Sequence, residues 1–338
     1  MVFLLFNVLP GDPARMMLDK REDSVQLAAI KNKYGFDKPI IDQYMLYLND
    51  VSPISIHNNS DIESFTYLYS GKYTCFEFMR FSNQSIVLKY PYLRESFSKP
   101  GKSVSSVIIH TFPNTFVLAA SSILIALILG LSLGIFSALL KDSFLDRSII
   151  FFSVFGMSLP SFLSSIIIAW IFGFLLHDYT GLDMTGSLYY VDDYGRGKFL
   201  QIQNLILPAI TLAIRPLSVI IQLARNSLLD VLSMDYIRTA RAKGLSSSLV
   251  ILKHALKNSL NPVVTVVSGW FASLLAGAVF VEYIFAWNGL GKEIVDALYM
   301  LDLPVVMGAV LFISTLFVII NILVDLTYAM LDPRIRTQ

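Results

Sequence analysis

Charge is scarce in this chain: of 338 residues, 15% are Asp, Glu, Lys or Arg and 55% are hydrophobic. Soluble domains carry about 25% charged residues, so an ordinary water-soluble enzyme is excluded. Cysteine is nearly absent, and the lone Cys75 rules out an internal disulfide. The four histidines, His57, His110, His177 and His254, are scattered without ligand spacing, so neither a protein-built metal site nor a cofactor is expected. No Ser/His/Asp arrangement can be assembled, and catalysis is not expected. Gly101-Lys102-Ser103 ends like a phosphate-binding loop, but Ser96 stands where the first glycine belongs. A formal net charge of +1 gives no basis for a nucleic-acid partner. Low-complexity tracts and internal repeats are also lacking.

What is present is long apolar runs. Stretches free of Asp, Glu, Lys and Arg cover Thr111–Leu140, Ser148–Leu176, Asn258–Val281 and Leu303–Val324. Each exceeds the roughly 20 residues that cross about 30 Å of hydrocarbon. A fifth run, 205–229, is interrupted by Arg215 and Arg225 and still reads as a span. The opening Met1–Leu9 is apolar but too short to cross, and it has no basic leader or small-residue cleavage site.

Basic residues are unevenly shared among the short loops. Lys141 and Arg147 flank one turn, and six Lys/Arg (Arg225, Arg238, Arg241, Lys243, Lys253, Lys257) crowd 225–257, while Arg334 and Arg336 close the chain. This asymmetry predicts that these three regions face the cytoplasm and that Gly11–Lys102 lies outside. Within the basic loop, Asp235–Asn258 predicts two short helices on a glycine hinge. Ser233 is the expected cap of the first, Asp235 lies in its first turn, and Gly244 supplies a left-handed stop. Ser246 or Ser247 is the expected cap of the second, whose Leu249, Leu252, Leu256 and Leu260 fall on one stripe. A solvated basic loop that merely sets topology is the plainer alternative.

The stretch from Asp235 to Leu245, with His254–Asn258, resembles the cytoplasmic coupling loop of permease subunits in binding-protein-dependent ABC importers of the dipeptide/oligopeptide/nickel class. Arg238 and Thr239 stand where the general loop motif has Glu and Ala, a habit of the peptide subclass. Three further stretches are similar to that class: Asn7–Pro13, Glu282–Gly291 with Asn288 in place of proline, and Asp302–Val306. The closing Leu331–Arg336 is similar as well. The resemblance implies an all-α polytopic membrane protein with the type I ABC importer permease fold, in a bacterial inner membrane. It would have five complete transmembrane helices plus a truncated first one, with a periplasmic insertion between the first and second. The implied divisions are the truncated helix at 1–10, a periplasmic segment at 11–104 with its insertion at 51–92, the transmembrane domain at 105–330 and a tail at 331–338. The coupling loop is 230–260. The implied partners are two ABC ATPase subunits, a second homologous permease, a periplasmic or lipid-anchored substrate-binding protein and the bilayer. ATP hydrolysis is then expected in a separate subunit.

By that resemblance, Asp235, Arg238, Arg241, Gly244, Leu245, Leu249, Lys253 and Lys257 couple the pore to the ATPase. Arg215, costly in hydrocarbon, is expected to face a cavity or partner, with a peptide carboxylate as one reading and a structural pair or snorkelling toward a headgroup as the plainer one. Pro160, with Gly156, is expected to kink its helix and could belong to the translocation path. Asp325 is expected to pair with a basic residue near the coupling loop. The uneven aromatics Tyr67, Tyr69, Tyr73, Phe76, Phe78 and Phe81 are read as the core of a small outer subdomain, with contact to a binding protein or peptide as the alternative. A nickel or metal-complex permease remains an alternative function, and an ion-coupled secondary carrier is a further one.

Overall fold

The computed structural model describes residues 3, 28, 31, 35–61, 64–68, 72–191 and 197–331. The chain divides into two compact units, residues 1–110 with 294–312, and residues 111–293 with 313–338. Residues 1–10 apart from Phe3, the tail from 332 on, and the side chain of Asp325 lie outside the described residues, and so do the expectations placed on them.

In the first unit, Gly35 turns the chain at φ +70° and Pro39 leads into helix α1, Ile40–Val51. The Gln43 amide donates back to Lys38 O at 2.8 Å and pins that turn. Three strands follow, β1 (Ile54–Asn58), β2 (Cys75–Arg80) and β3 (Gln84–Lys89), antiparallel in the order β1-β3-β2. The chain is therefore not all-α. Side chains alternate across a sheet, and here the buried face carries Ser55, His57, Ser85, Val87 and Lys89. The opposite face exposes Ile54, Ile56, Phe76, Met79 and Leu88. Phe78 and Phe81 are exposed too, which corrects the expectation that these aromatics form a core; among the described members of that group Tyr73 is buried and Tyr67 half-buried, and Tyr69 lies outside the described residues. Helix α2, Val104–Leu139, begins in this unit.

Asp302 ties the unit together. Its buried carboxylate accepts from Ser96 Oγ, Phe97 N (3.1 Å), Ser98 N (2.9 Å) and Ser98 Oγ (2.7 Å). It also accepts from Val305 N at 3.4 Å, as an N-cap does. The Asp302-Leu303-Pro304 motif thus starts one helix and fastens the segment 96–98.

In the second unit, α3 (Phe144–Ser158) is capped by Ser143 Oγ, which accepts from Asp146 N. Helix α4, Ser161–Ile168, continues as a π-helix over Ala169–Leu175. The two helices meet at 108°. Pro160 does not kink one helix but separates two: it lacks an N–H and holds Leu159 extended at ψ 128°. Then come α5 (His177–Thr180), the ribbon β4 (Tyr189–Val191) and β5 (Lys198–Leu200), and α6 (Gln203–Leu232). The elbow helices are α7 (Asp235–Ala242) and α8 (Ser247–Ser259). They lead to α9 (Asn261–Gly277), α10 (Val279–Ile284), α11 (Leu290–Tyr299) and α12 (Leu303–Leu331).

Among the described residues, three helices are individually long and apolar enough to cross a membrane: α2, α6 and Leu303–Val324 of α12. The number rises to five if α3–α4 and α8–α9 each make one span. Helices α2 and α6 approach closely because Gly130 and Gly134 lie four residues apart on the contact face. A Cβ at Gly130 would fall 2.7 Å from Ile220 Cγ2, and one at Gly134 would fall 2.7 Å from Ile221 O. Small residues at that spacing let two backbones pack in lipid, where dispersion and shape drive association.

Candidate functional site

The elbow is built by terminating helices in sequence. Helix α6 ends at Ser233, whose hydroxyl donates back to Asp230 O at 2.7 Å. Ser233 therefore closes α6, and extended Met234 is the residue that starts α7. Helix α7 ends as expected at Gly244, with φ +80°. Gly244 N donates to Arg241 O at 3.0 Å and Leu245 N to Ala240 O at 3.4 Å, the paired bonds of a Schellman stop. Helix α8 starts after Ser246, without a side-chain cap, and its turns widen to a π-helix over Val250–Ala255. That widening breaks the leucine stripe: Val250, Ala255 and Ser259 face inward, while Leu249 and Leu252 are exposed and Leu256 is half-buried.

A small apolar cluster mounts the elbow. Ile237, Ala240, Val250 and Ala255 pack with Ala138 of α2 and Leu228 and Val231 of α6. Asn258 Nδ2 donates to Tyr236 Oη at 2.9 Å and joins the two short helices. The outward surface carries Asp235, Arg238, Arg241, Leu249, Leu252, Lys253 and Lys257, all exposed. Leu245 is half-buried against the cluster. Arg238 and Asp235 form an ion pair at 3.4 Å, and at such exposure it contributes little to stability. An exposed apolar pair, Leu249 and Leu252, thus stands among exposed cations above a buried apolar cluster.

Arg225, counted both in the fifth apolar run and at the edge of the basic loop, lies within α6. Its Nε and Nη2 donate to the two carboxylate oxygens of Asp146, each at 2.7 Å. Asp146 is buried and also accepts from Ser137 Oγ and from Asp142 N at 3.0 Å. This bidentate pair joins α3 to α6 just before the elbow. The sequence shows each charge beside or within an apolar run, but nothing in it links positions 79 apart.

The motif at Glu282–Gly291 forms a second, closed constellation. Glu282, Phe285 and Trp287 are fully buried. Trp287 Nε1 donates to Asn114 O at 3.0 Å, Asn114 Nδ2 to Asn288 O at 2.7 Å, and Leu290 N to Thr115 Oγ1 at 2.8 Å. The Glu282 carboxylate accepts from Lys292 N at 3.1 Å and rests against Gly289 and Gly291. A Cβ on Gly291 would lie 2.7 Å from Val279 Cα and 2.8 Å from Glu282 Oε2. Where the resembling class has proline, Asn288 donates its N–H to Ser187 Oγ at 3.2 Å, a bond proline cannot make.

Arg215 is exposed along α6, its guanidinium 5.9 Å from the centre of the Trp270 ring. Pro160 is exposed at the α3–α4 break. The elbow, Arg215 and Pro160 remain separate features, and no single cluster contains them.

Residues 130–337 match the model of the family described as binding-protein-dependent transport system inner membrane component, and residues 1–67 match that of its N-terminal region. The chain is 33% identical to the dipeptide transport system permease protein DppB of Bacillus subtilis, over 99% of this chain and 92% of that protein. It is also 33% identical to the di/tripeptide permease DppB of Pseudomonas aeruginosa, over 100% and 94%. The glutathione transport system permease GsiC of Pectobacterium atrosepticum matches at 33%, over 99% and 92%. Among solved structures, an inward-facing MetNI methionine ABC transporter chain matches with a TM-score of 0.54 at 15% identity, covering 67% of this chain and 96% of that one. The fold is therefore that of a type I importer permease. With several apolar helices and a family match over most of its length, the chain is a multi-pass protein of the bacterial inner membrane and belongs to the binding-protein-dependent transport system inner membrane component family.

Proposed function

We propose that the chain forms half of the translocation pore of an ATP-driven importer of di- and oligopeptides. The observation that carries this reading is the exposed elbow on its buried mount, in a chain 33% identical to dipeptide permeases over 99% of its length. In this reading the segment 230–260 lies in the cytoplasm. Two ATPase subunits grip Leu249 and Leu252, and Arg238, Arg241, Lys253 and Lys257 meet acidic groups around that grip. Asp235 steadies Arg238. Five spans surround the pore, a second homologous permease supplies the other half, and a soluble receptor delivers substrate to the outer side. ATP-driven closure of the motor would pull the elbow and swing the spans between two states, which is coupling of two sites through a shared bistable element. Arg215, exposed on a spanning helix, serves as a contact for the peptide or for the partner permease. The break at Pro160 gives α3 and α4 freedom to move as separate levers.

Reconstitution with the partner ATPases and receptor tests this. Uptake of a labelled dipeptide that depends on ATP is expected; accumulation of nickel with no peptide uptake would overturn it. The coupling role has its own test. Proline cannot adopt φ +80° and would remove the Gly244 N–H bond, so Gly244→Pro is expected to insert normally yet lose most peptide uptake while ATP is still hydrolysed. Undiminished uptake in whole cells would remove the elbow from the mechanism.

A further inference from the structure

The unit that bears the sheet contains a cavity of about 730 Å³, within the range of small-molecule sites. Aromatic rings of Phe65, Tyr73, Tyr90, Tyr92 and Phe97 form much of its wall, with Asp50, Lys72, Arg94 and Glu95 among them. Charge around it is unbalanced. Asp50 is the buried carboxylate, and it already accepts from Tyr73 Oη at 2.7 Å and Arg94 Nε at 2.8 Å. The Lys72 ammonium is 3.8 Å from Asp50, at the limit of an ion pair, and 4.8 and 5.0 Å from the centres of the Tyr73 and Tyr92 rings. Lys89 does not line the cavity but lies over the Tyr73 ring at 4.3 Å, buried, with no hydrogen-bond partner for its ammonium among the described residues. Among the described residues three cations thus stand around one buried anion, and burial holds Lys89 down to about 8.

Arg94 adds an independent sign. Its backbone is left-handed at φ +67°, a conformation that costs a non-glycine residue energy and gathers at ligand sites. That geometry lets its carbonyl accept from Val104 N at 3.0 Å while its side chain reaches Asp50. Glu95 is exposed at the rim.

We propose that this cavity binds a small peptide, its terminal carboxylate held by Lys72 and Arg94 and its side chains by the wall of Tyr73, Tyr90, Tyr92 and Phe97. Glu95 faces the peptide's ammonium. The choice of a peptide rests on the transport reading above; the need for an anion and an apolar wall rests on the cavity alone. The permease then has its own substrate contact, separate from whatever the soluble receptor provides.

The test is calorimetric titration of the complete permease–ATPase complex, in nanodiscs and without receptor, using alanyl-phenylalanine, its C-terminal amide and inorganic phosphate. The free acid is expected to bind, and the amide and Lys72→Met are each expected to weaken binding at least about tenfold, the scale of one charge-assisted hydrogen bond. The amide comparison needs no mutation and stands even if a variant fails to fold. Equal binding of acid and amide, an affinity unmoved by Lys72→Met, phosphate competing as well as the peptide, or no binding at ~10 mM would each overturn the site. Uptake by the receptor-supplied transporter separates the two readings. Peptide uptake without this binding refutes the site alone, and binding without uptake refutes the transport reading alone.

Discussion

The elbow at 235–259 and the loop at 282–291 both carry family-like motifs, yet their residues work in opposite directions. In the loop, Glu282, Phe285 and Trp287 are buried and the backbone is stitched to Asn114 and Thr115. In the elbow, Arg238, Arg241, Leu252 and Lys253 are exposed, and the shape is set by the Gly244 stop and a small apolar cluster. One motif specifies a structure, and the other specifies a surface. Variants should therefore separate stability from coupling.

The largest stability loss is expected where the elbow meets its mount. Arg225→Met leaves Asp146 charged and buried without its partner, a situation that costs about 3–5 kcal/mol. Thermal unfolding of the purified complex should show a marked fall in midpoint, and an unchanged midpoint would mean the pair is not part of the mount. Glu282→Ala is next. It strips acceptors from Lys292 N and its neighbours, at about 1–3 kcal/mol for each buried group left unpaired, and it should lower folded yield more than it lowers uptake per folded molecule.

Lys89 sharpens the contrast between a buried charge held in a bidentate pair and one with no hydrogen-bond partner among the described residues. Its ammonium, ordinarily near 10.5, is held at about 8 by burial. Below pH 8 both folded and unfolded chains hold the proton and the folded state bears the full penalty. Between about 8 and 10.5 the unfolded chain alone holds it, so stability rises with pH across that window. Lys89→Met is expected to raise stability near pH 7 by about 2 kcal/mol and to flatten that rise; denaturant titrations at pH 7 and pH 10 measure both. The smallest stability change belongs to the elbow surface. Leu252→Ala should move stability by no more than about 0.5 kcal/mol while reducing stimulation of ATP hydrolysis by substrate. A large loss of stability there would erase the distinction between the two motifs.

Some of this was legible in advance. Charge-free runs located the apolar helices because hydrocarbon tolerates no other composition at that length. Gly244 was found because a left-handed helix stop needs a residue without a Cβ. The strands at 54–58, 75–80 and 84–89 are harder to read from sequence, because the inward face mixes Val87 with Ser55, His57, Ser85 and Lys89 while Ile54, Ile56, Phe76, Met79 and Leu88 face out, so hydropathy does not mark the buried side. The π-helix at 250–255 shifted Leu252 to the surface, and no sequence periodicity announces a π-helix. Gly130 and Gly134 looked like ordinary residues of an apolar run until α6 was seen against them.

Composition and local punctuation alone determined that this is a membrane chain, where its apolar helices run and where the elbow turns, since each follows from solvent cost or from backbone sterics over a few neighbouring residues. Which charges are paired was a matter for the folded chain: Arg225 finds Asp146, and Asp302 finds Ser96–Ser98, across 79 and about 205 positions. Only three-dimensional packing brings such groups to hydrogen-bonding distance, and only there does burial make the pairing strong.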